Sequence, residues 1–435
     1  MTDPVVATAR PRRGRRILLP IASLAVGLVL LEIGARIVQR ARGEPWDSAS
    51  ARDEILRVRG QSREVTPRAA TDWFQTPAED PSQALHLHPF FAWEAGLGEG
   101  MVDAELEYRR SPEHAGAYDI LILGGSVAAI FGLPEQGLRP LQETLSADPR
   151  FRGRTLHFMP FGSGGHKQPQ QVDRLVYLLS VGLSPDAVID IDGFNELALG
   201  NKNATLGSNP VFPSVVHWAF FAASAANDRR ALDLALDLRQ RQRAVDTWCD
   251  LALSWRLDRS CLLGVIALGR IRALRNDCVA RQETCSRYMT ELSAGIVRGP
   301  RFEGGAGEAV EASVQAWFEG SRMLQDICRA RSIHYLHVLQ PTLNDEGSKP
   351  LTKGEIQTGS MDEAWMQGVR LGYPRLREAG ERLRALGVNF LDGSRVFAGV
   401  KDEVYFDGCH FGKLGNRIFA EKIGEAFLAS MPEGR

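Results

Sequence analysis

The chain has 435 residues, of which 44% are hydrophobic and 24% charged, with a formal net charge of −1. This ordinary globular composition excludes a disordered tail, a collagen and a multi-span transporter. The charge is uneven: residues 1–45 hold eight arginines against three acids, a net +5, which leaves −6 on the remainder and argues against a nucleic-acid partner.

Arg10, Arg12, Arg13, Arg15 and Arg16 precede an apolar run from Ile17 to Leu31. The nineteen residues between Arg16 and Arg36 carry one charge, Glu32. That stretch is just long enough to span a bilayer, which takes ~20 mostly apolar residues. Glu32 lies near its far end, where a carboxylate can reach the headgroups. The leading arginines keep the N-terminus in the cytoplasm, so the body is expected to be exported. A cleaved signal and a soluble amphipathic helix are the weaker readings; Glu32-Ile33-Gly34-Ala35 is a poor small-x-small cleavage site, because Ile33 is large and Glu32 charged. Six cysteines are too few for a disulfide scaffold. In an oxidising compartment Cys249, Cys261, Cys278 and Cys285 could pair, with buried thiols as the alternative.

Along the body, Leu85–His88 alternates like a short strand. Tyr118–Leu123 is a buried-strand run that ends in Gly124-Gly125. A helix is expected around 135–146, a strand over Thr155–Phe161 ending in glycines, and an amphipathic helix over Gln170–Val181. Ala187–Ile191 is a third strand, followed by Asp192-Gly193. Residues 201–310 show no clear strand, and Ala231–Val245 and Cys261–Arg275 look helical. Strands resume at Ile333–Leu339 and 388–391, and a closing helix is expected over Leu414–Ser430. Strands alternating with helices through Gly-rich turns indicate an α/β fold, a parallel sheet with helices on both faces.

Ligand sites in such sheets lie beyond the carboxyl ends of the strands. Ser126 follows the first of these ends at the start of a helix, with an exposed hydroxyl and a backbone N–H able to face an oxyanion. Gly165 follows the second, where its missing side chain leaves the N–H open to a ligand. Asn195 follows the third with a side-chain amide donor. Near the C-terminus, Asp407 and His410 lie three apart around Gly408. On one turn the Asp can orient the imidazole, and His410 can then deprotonate Ser126.

These pieces, in this order, resemble the SGNH (GDSL-like) hydrolase superfamily over roughly residues 116–200 and 325–430. The family's nucleophile block falls on Ser126, its Gly donor on Gly165, its Gly-x-Asn-Asp block on Gly193 to Glu196, and its Asp-x-x-His block on Asp407 and His410. Gly125 stands where the family has Asp, and Glu196 where it has Asp. The resemblance implies a three-layer α/β/α, flavodoxin-like parallel sheet and a serine esterase with the triad Ser126, His410 and Asp407. It implies an oxyanion hole of Ser126, Gly165 and Asn195, and needs no metal or organic cofactor. The expected organisation is a leader and transmembrane anchor over 1–40 and an extension over 41–115. The hydrolase-like domain then covers 116–435, with a helical insertion at about 201–310. An anchored, exported arrangement looks like a bacterial subgroup attached to the inner membrane with a periplasmic or extracellular body. The expected partners are the membrane and an acylated glycan or lipid ester.

Three other readings are open. Gly124-x-Ser126-x-Ala128 also fits the nucleophile elbow of the α/β-hydrolase fold, but that fold has several strands before its Ser and separates its Asp and His widely. The chain could instead be an O-acyltransferase acting on an extracellular polysaccharide, or an anchored binding module that kept the fold without catalysis. His86, His88, His334 and His337 lack neighbouring ligands at metal-site spacing and read as structural. Asn203-Ala204-Thr205 fits a glycosylation sequon.

Overall fold

The computed structural model describes residues 15–43, 45–63, 85–95, 99–114, 116–218, 228–294 and 301–431. The chain divides into two compact units, Met1–Thr66 with Leu236–Glu283, and Pro67–Ala235 with Thr284–Arg435. The stretch expected as one insertion, 201–310, is therefore shared between them.

The first unit is helical. Helix Arg15–Ala41 carries the apolar run, although the side chains of residues 1–25 and of Leu28 lie outside the described ones. Among the described residues no helix is long and apolar enough to cross a membrane. Helix Ser48–Arg63 packs through Ala51, Ile55 and Val58 against Val245, Cys249 and Ala252, and against Ala267, Leu268 and Ile271. Those partners lie on helices Arg229–Ser254 and Cys261–Ala294, so the three form a small bundle with an apolar centre. Arg52 pairs with Asp258 at 3.9 Å and Arg59 with Asp250, so Ser48–Arg63 runs antiparallel to the first of them.

The Glu32 carboxylate, expected to reach the headgroups, has partners within the protein. It accepts hydrogen bonds from Ser260 Oγ at 2.7 Å and from the N–H groups of Cys261 and Leu262, each at 2.9 Å. Helix Cys261–Ala294 begins with backbone donors that have no intrahelical partner, and Glu32 satisfies two of them from another helix. All six cysteines are buried, and no disulfide joins the described residues, which leaves the buried-thiol alternative for Cys249, Cys261, Cys278 and Cys285.

The second unit holds a five-stranded parallel sheet. In chain order after a hairpin of β1 (Leu85–His88) and β2 (Ala92–Ala95), its strands are β3 (Tyr118–Gly124), β4 (Leu156–Pro160), β5 (Ala187–Asp192), β6 (His334–Leu339) and β7 (Phe390–Asp392). The spatial order is β4-β3-β5-β6-β7, the flavodoxin-like order, with Ile122 opposite Ile189 and Asp190 opposite His337. Successive residues on a strand face opposite sides. Leu121, Leu123, Val188 and Leu339 therefore join one core under helices Gln170–Ser180, Phe194–Thr205, Ala306–Ala330 and Glu363–Ala385. Ile120, Ile122, Ile189, Ile191 and Val338 join a second core under helices Arg139–Ser146 and Lys413–Ser430. Three layers follow directly from that alternation.

Several helices escaped the sequence reading, Glu363–Ala385 and Ala306–Ala330 among them. Glu363–Ala385 contains Pro374 and several glycines, which read as helix breakers. The glycines serve packing instead: a Cβ on Gly368 would lie 2.3 Å from the Leu197 carbonyl oxygen, and one on Gly372 would lie 2.1 Å from Leu197 Cδ2. Small residues let this helix press directly on Phe194–Thr205. Ala306–Ala330 straddles the far boundary of the expected insertion and belongs to the core.

Candidate active site

The order of the strands reverses between β3 and β5, which opens a crevice at their carboxyl ends. β3 ends at Gly124, with φ +132°, where a Cβ would lie 2.0 Å from the Ile191 carbonyl oxygen. Only glycine lets β3 approach β5 so closely and turn. Gly125 then caps helix Ser126–Phe131, so Ser126 is its first residue.

His410 comes from the other end of the chain, on a tight loop closed by the Tyr405–Phe411 bridge and by Phe406 N–H donating to the His410 carbonyl at 3.1 Å. Asp407 Oδ1 accepts the N–H groups of Cys409 at 2.9 Å and His410 at 2.7 Å. Its Oδ2 lies 2.7 Å from His410 Nδ1, and His410 Nε2 lies 2.7 Å from Ser126 Oγ. The carboxylate at Nδ1 assigns the ring proton to that nitrogen and leaves Nε2 to accept from the serine hydroxyl. Burial raises the Asp407 carboxyl, but the adjacent imidazole and the bonds it accepts outweigh this and hold it below the usual carboxylate range.

Two further anchors fix that loop. Thr342 Oγ1 donates to the Gly408 carbonyl at 2.8 Å. Glu355, fully buried with Lys349 at 2.9 Å, accepts the N–H groups of Val404 at 3.0 Å and Tyr405 at 3.1 Å.

Asn195 is the second residue of helix Phe194–Thr205, which follows β5. Its Nδ2 donates to the His166 carbonyl at 2.8 Å and lies 2.3 Å from where a Cβ on Gly125 would be. The amide therefore lies beside the residue before Ser126, held by one hydrogen while it has a second to offer. Gly165, with φ +75°, precedes His166 in the loop after β4, and the His217 ring occupies the space its side chain would need. Glu196 binds the N–H groups of Gly193 at 2.9 Å and Gln168 at 2.8 Å, which joins the turns after β4 and β5.

Sequence reasoning missed what lies behind the Gly165 loop. Trp93, on β2, donates from Nε1 to the Gly164 carbonyl at 2.8 Å, and its own carbonyl lies 2.6 Å from His166 Nε2. Its indole stacks on His217 at 5.2 Å between centroids. Gln170 donates to the Phe91 carbonyl at 2.8 Å. The hairpin expected as part of a plain extension thus holds the loop from behind. Burial pushes His166 well below its ordinary pKa and His217 down to about 3, so both rings stay neutral in this packing.

Two groups of described residues have ligand atoms close enough for a metal ion: Asp407, Cys409 and His410, and Asp190, Asp192 and His337. The second places His337, expected to be simply structural, beside two carboxylates. Asp192 Oδ1 already accepts Trp317 Nε1 at 2.6 Å and faces His337 Nε2 at 2.7 Å. Gln168 Nε2 donates to Asp190 at 3.1 Å and Asp192 at 3.2 Å. Those N–H groups occupy positions a cation would need. Burial, with Asp192 and Glu196 close by, pushes the Asp190 carboxyl well above its usual range. Asn203 is buried, with Nδ2 donating to the Phe212 carbonyl at 2.8 Å and Oδ1 accepting Val215 N–H at 2.9 Å, so the sequon is a packing residue in the folded chain. His88 is buried and stacks on Phe91 at 3.6 Å, and His334 lies 3.0 Å from Ser430 Oγ.

No family model matches the chain, and no curated protein matches it. Among solved structures it is similar to an alpha/beta hydrolase enzyme from the metagenome of Lake Arreo, Spain, at 12% identity and a TM-score of 0.34, covering 73% of this chain and 100% of that one. It is also similar to a mutant of an acetyl-xylooligosaccharide esterase from Geobacillus Stearmophilus, at 12% identity and a TM-score of 0.35, covering 72% and 95%. A third is an acetyl xylan esterase, at 11% identity and a TM-score of 0.34, covering 71% and 98%.

Proposed function

We propose that the chain is a membrane-anchored, exported serine esterase of SGNH type that acts on acyl esters of cell-envelope glycans or lipids. One observation carries the reading: Ser126, His410 and Asp407 form a hydrogen-bonded chain, 2.7 Å at each link, beside the Asn195 amide. Ser126 Oγ attacks the ester carbonyl while His410 Nε2 takes its proton. The Ser126 and Gly165 N–H groups and the Asn195 amide hold the developing oxyanion. His410 returns the proton to the leaving alcohol, and Asp407 stabilises the imidazolium between the two transfers. Water, activated by the same imidazole, then releases the acid and frees Ser126. A sugar hydroxyl in place of water gives acyl transfer by the same steps. The basic leader and the apolar run at 17–31 support anchoring in the inner membrane with the body outside the cytoplasm.

The test is labelling of the full chain in detergent with a fluorophosphonate probe, alongside turnover of p-nitrophenyl acetate. Wild type labels and turns over, and Ser126→Ala does neither. Equal behaviour of the two proteins refutes the enzyme reading. Product analysis with an added sugar acceptor then separates transfer from hydrolysis.

A further inference from the structure

We propose that the base of the helical bundle in the first unit is a second membrane contact, resting in the headgroup and acyl boundary of an anionic bilayer beside the anchor. The inference rests on the anchor reading above and extends it to residues about 220 positions further along the chain.

Glu32 sets the geometry. Its carboxylate binds Ser260, Cys261 and Leu262, so the turn between helices Arg229–Ser254 and Cys261–Ala294 meets the anchor helix one residue past its apolar run. Trp46, just beyond the anchor helix, returns to the same turn and donates from Nε1 to the Asp258 carbonyl at 3.2 Å. The bundle therefore has its lower end where the anchor leaves its apolar stretch.

That lower end is apolar and open. Trp255 is 76% exposed, Ile266 57%, Leu263 45% and Leu251 42%. Leu251 and Trp255 are four apart on one helical turn, and Leu263 and Ile266 three apart on the next helix, so each pair shares a face. On the anchor helix Val26, Leu30, Ile33 and Ile37 form an exposed apolar stripe of the same kind. Further up Cys261–Ala294 the exposed side includes Arg270 and Arg272, with Val279 beyond them. From Cys261 to Ile266 the rise is about 8 Å, which matches the shallow depth of an interfacial helix.

Charge identifies the occupant. The turn carries Arg256 and Arg259, both exposed. Arg256 approaches Asp258 only at 3.4 Å, and Asp258 is buried. An exposed Trp flanked by arginines is the composition of a membrane interface, and arginines there favour anionic headgroups.

The test uses the full chain reconstituted in vesicles of phosphatidylcholine with about one-quarter phosphatidylglycerol. The native cysteines are buried, so an environment-sensitive dye can be attached to Trp255→Cys, Ile266→Cys, Val29→Cys on the anchor or Asp277→Cys higher on the bundle. Doxyl-labelled lipid is expected to quench the dye at 255 and 266 about two-fold or more beyond that at 277. Quenching at 29 with 255 and 266 no different from 277 overturns the proposal and leaves the anchor reading standing. Failure to quench at 29 as well overturns both. Equal quenching at 266 in pure phosphatidylcholine overturns the role given to Arg256 and Arg259.

Discussion

Gly125→Ala tests the proposed oxyanion hole apart from the rest of the site. Gly125 has φ −86°, which alanine adopts without strain, so the backbone has no reason to move. The added methyl would lie 2.3 Å from Asn195 Nδ2, 3.4 Å from its Cγ and 3.2 Å from the His166 carbonyl oxygen. The amide is the part that can yield, and in yielding it loses both its bond to His166 and its place beside Ser126. Loss of one oxyanion donor costs ~2.7–4 kcal/mol of transition-state stabilisation, or about 10²–10³ in kcat. Steady-state turnover of p-nitrophenyl acetate is expected to fall by that factor in Gly125→Ala and equally in Asn195→Ala. The double variant is the decisive measurement: because both changes remove the same donor, it is expected to fall no further than either single one. The thermal midpoint should change little, since only one side-chain end is displaced. Wild-type turnover in Gly125→Ala, or losses that multiply in the double variant, would refute the placement of Asn195 as a donor.

Other expectations follow from the supports of the site. Trp93→Phe removes the donor to the Gly164 carbonyl while keeping the stacked ring; kcat is expected to drop with KM nearly unchanged, and a drop in KM affinity alone would contradict a role in holding the Gly165 loop. Lys349→Met leaves the Glu355 carboxylate buried without its cation, and denaturant unfolding is expected to show a loss of ~3–5 kcal/mol. His157 lies 3.0 Å from Asp119 and 3.1 Å from Glu105. Burial lowers its pKa, but the two carboxylates outweigh this and raise it to about 9. A folded value above the unfolded ~6.5 means the stabilisation is full below that pH and is lost as pH rises towards about 9; the loss is ~3 kcal/mol for wild type and absent in His157→Gln.

Much of the sheet was legible because parallel strands are buried on both faces and so read as short apolar runs that stop at glycines. Ser126, Asn195 and the Asp407–His410 pair were legible for a related reason: each follows a strand end or lies on a turn, so its position along the chain already implies its position in space. Trp93 and His166 carried no such mark. Their contact joins residues 73 apart, and an aromatic beside a small strand looks like ordinary core. The partners of Glu32 were hidden because a lone acid at the end of an apolar run has a familiar explanation at the headgroups. Its actual partners, the opening N–H groups of a helix over 200 residues away, leave no local trace. Helix Glu363–Ala385 was hidden by its own packing, since the glycines that let it approach Leu197 are the residues that argue against a helix locally.

The Ser126 to His410 contact joins residues 284 apart. A ribosome therefore delivers Ser126 well before His410, with strands β4 to β7 made in between. Until that final segment docks, Ser126 is an ordinary alcohol beside an empty place for its base. A chain interrupted before residues 405–411 therefore holds Ser126 without the imidazole that contacts it in the folded protein.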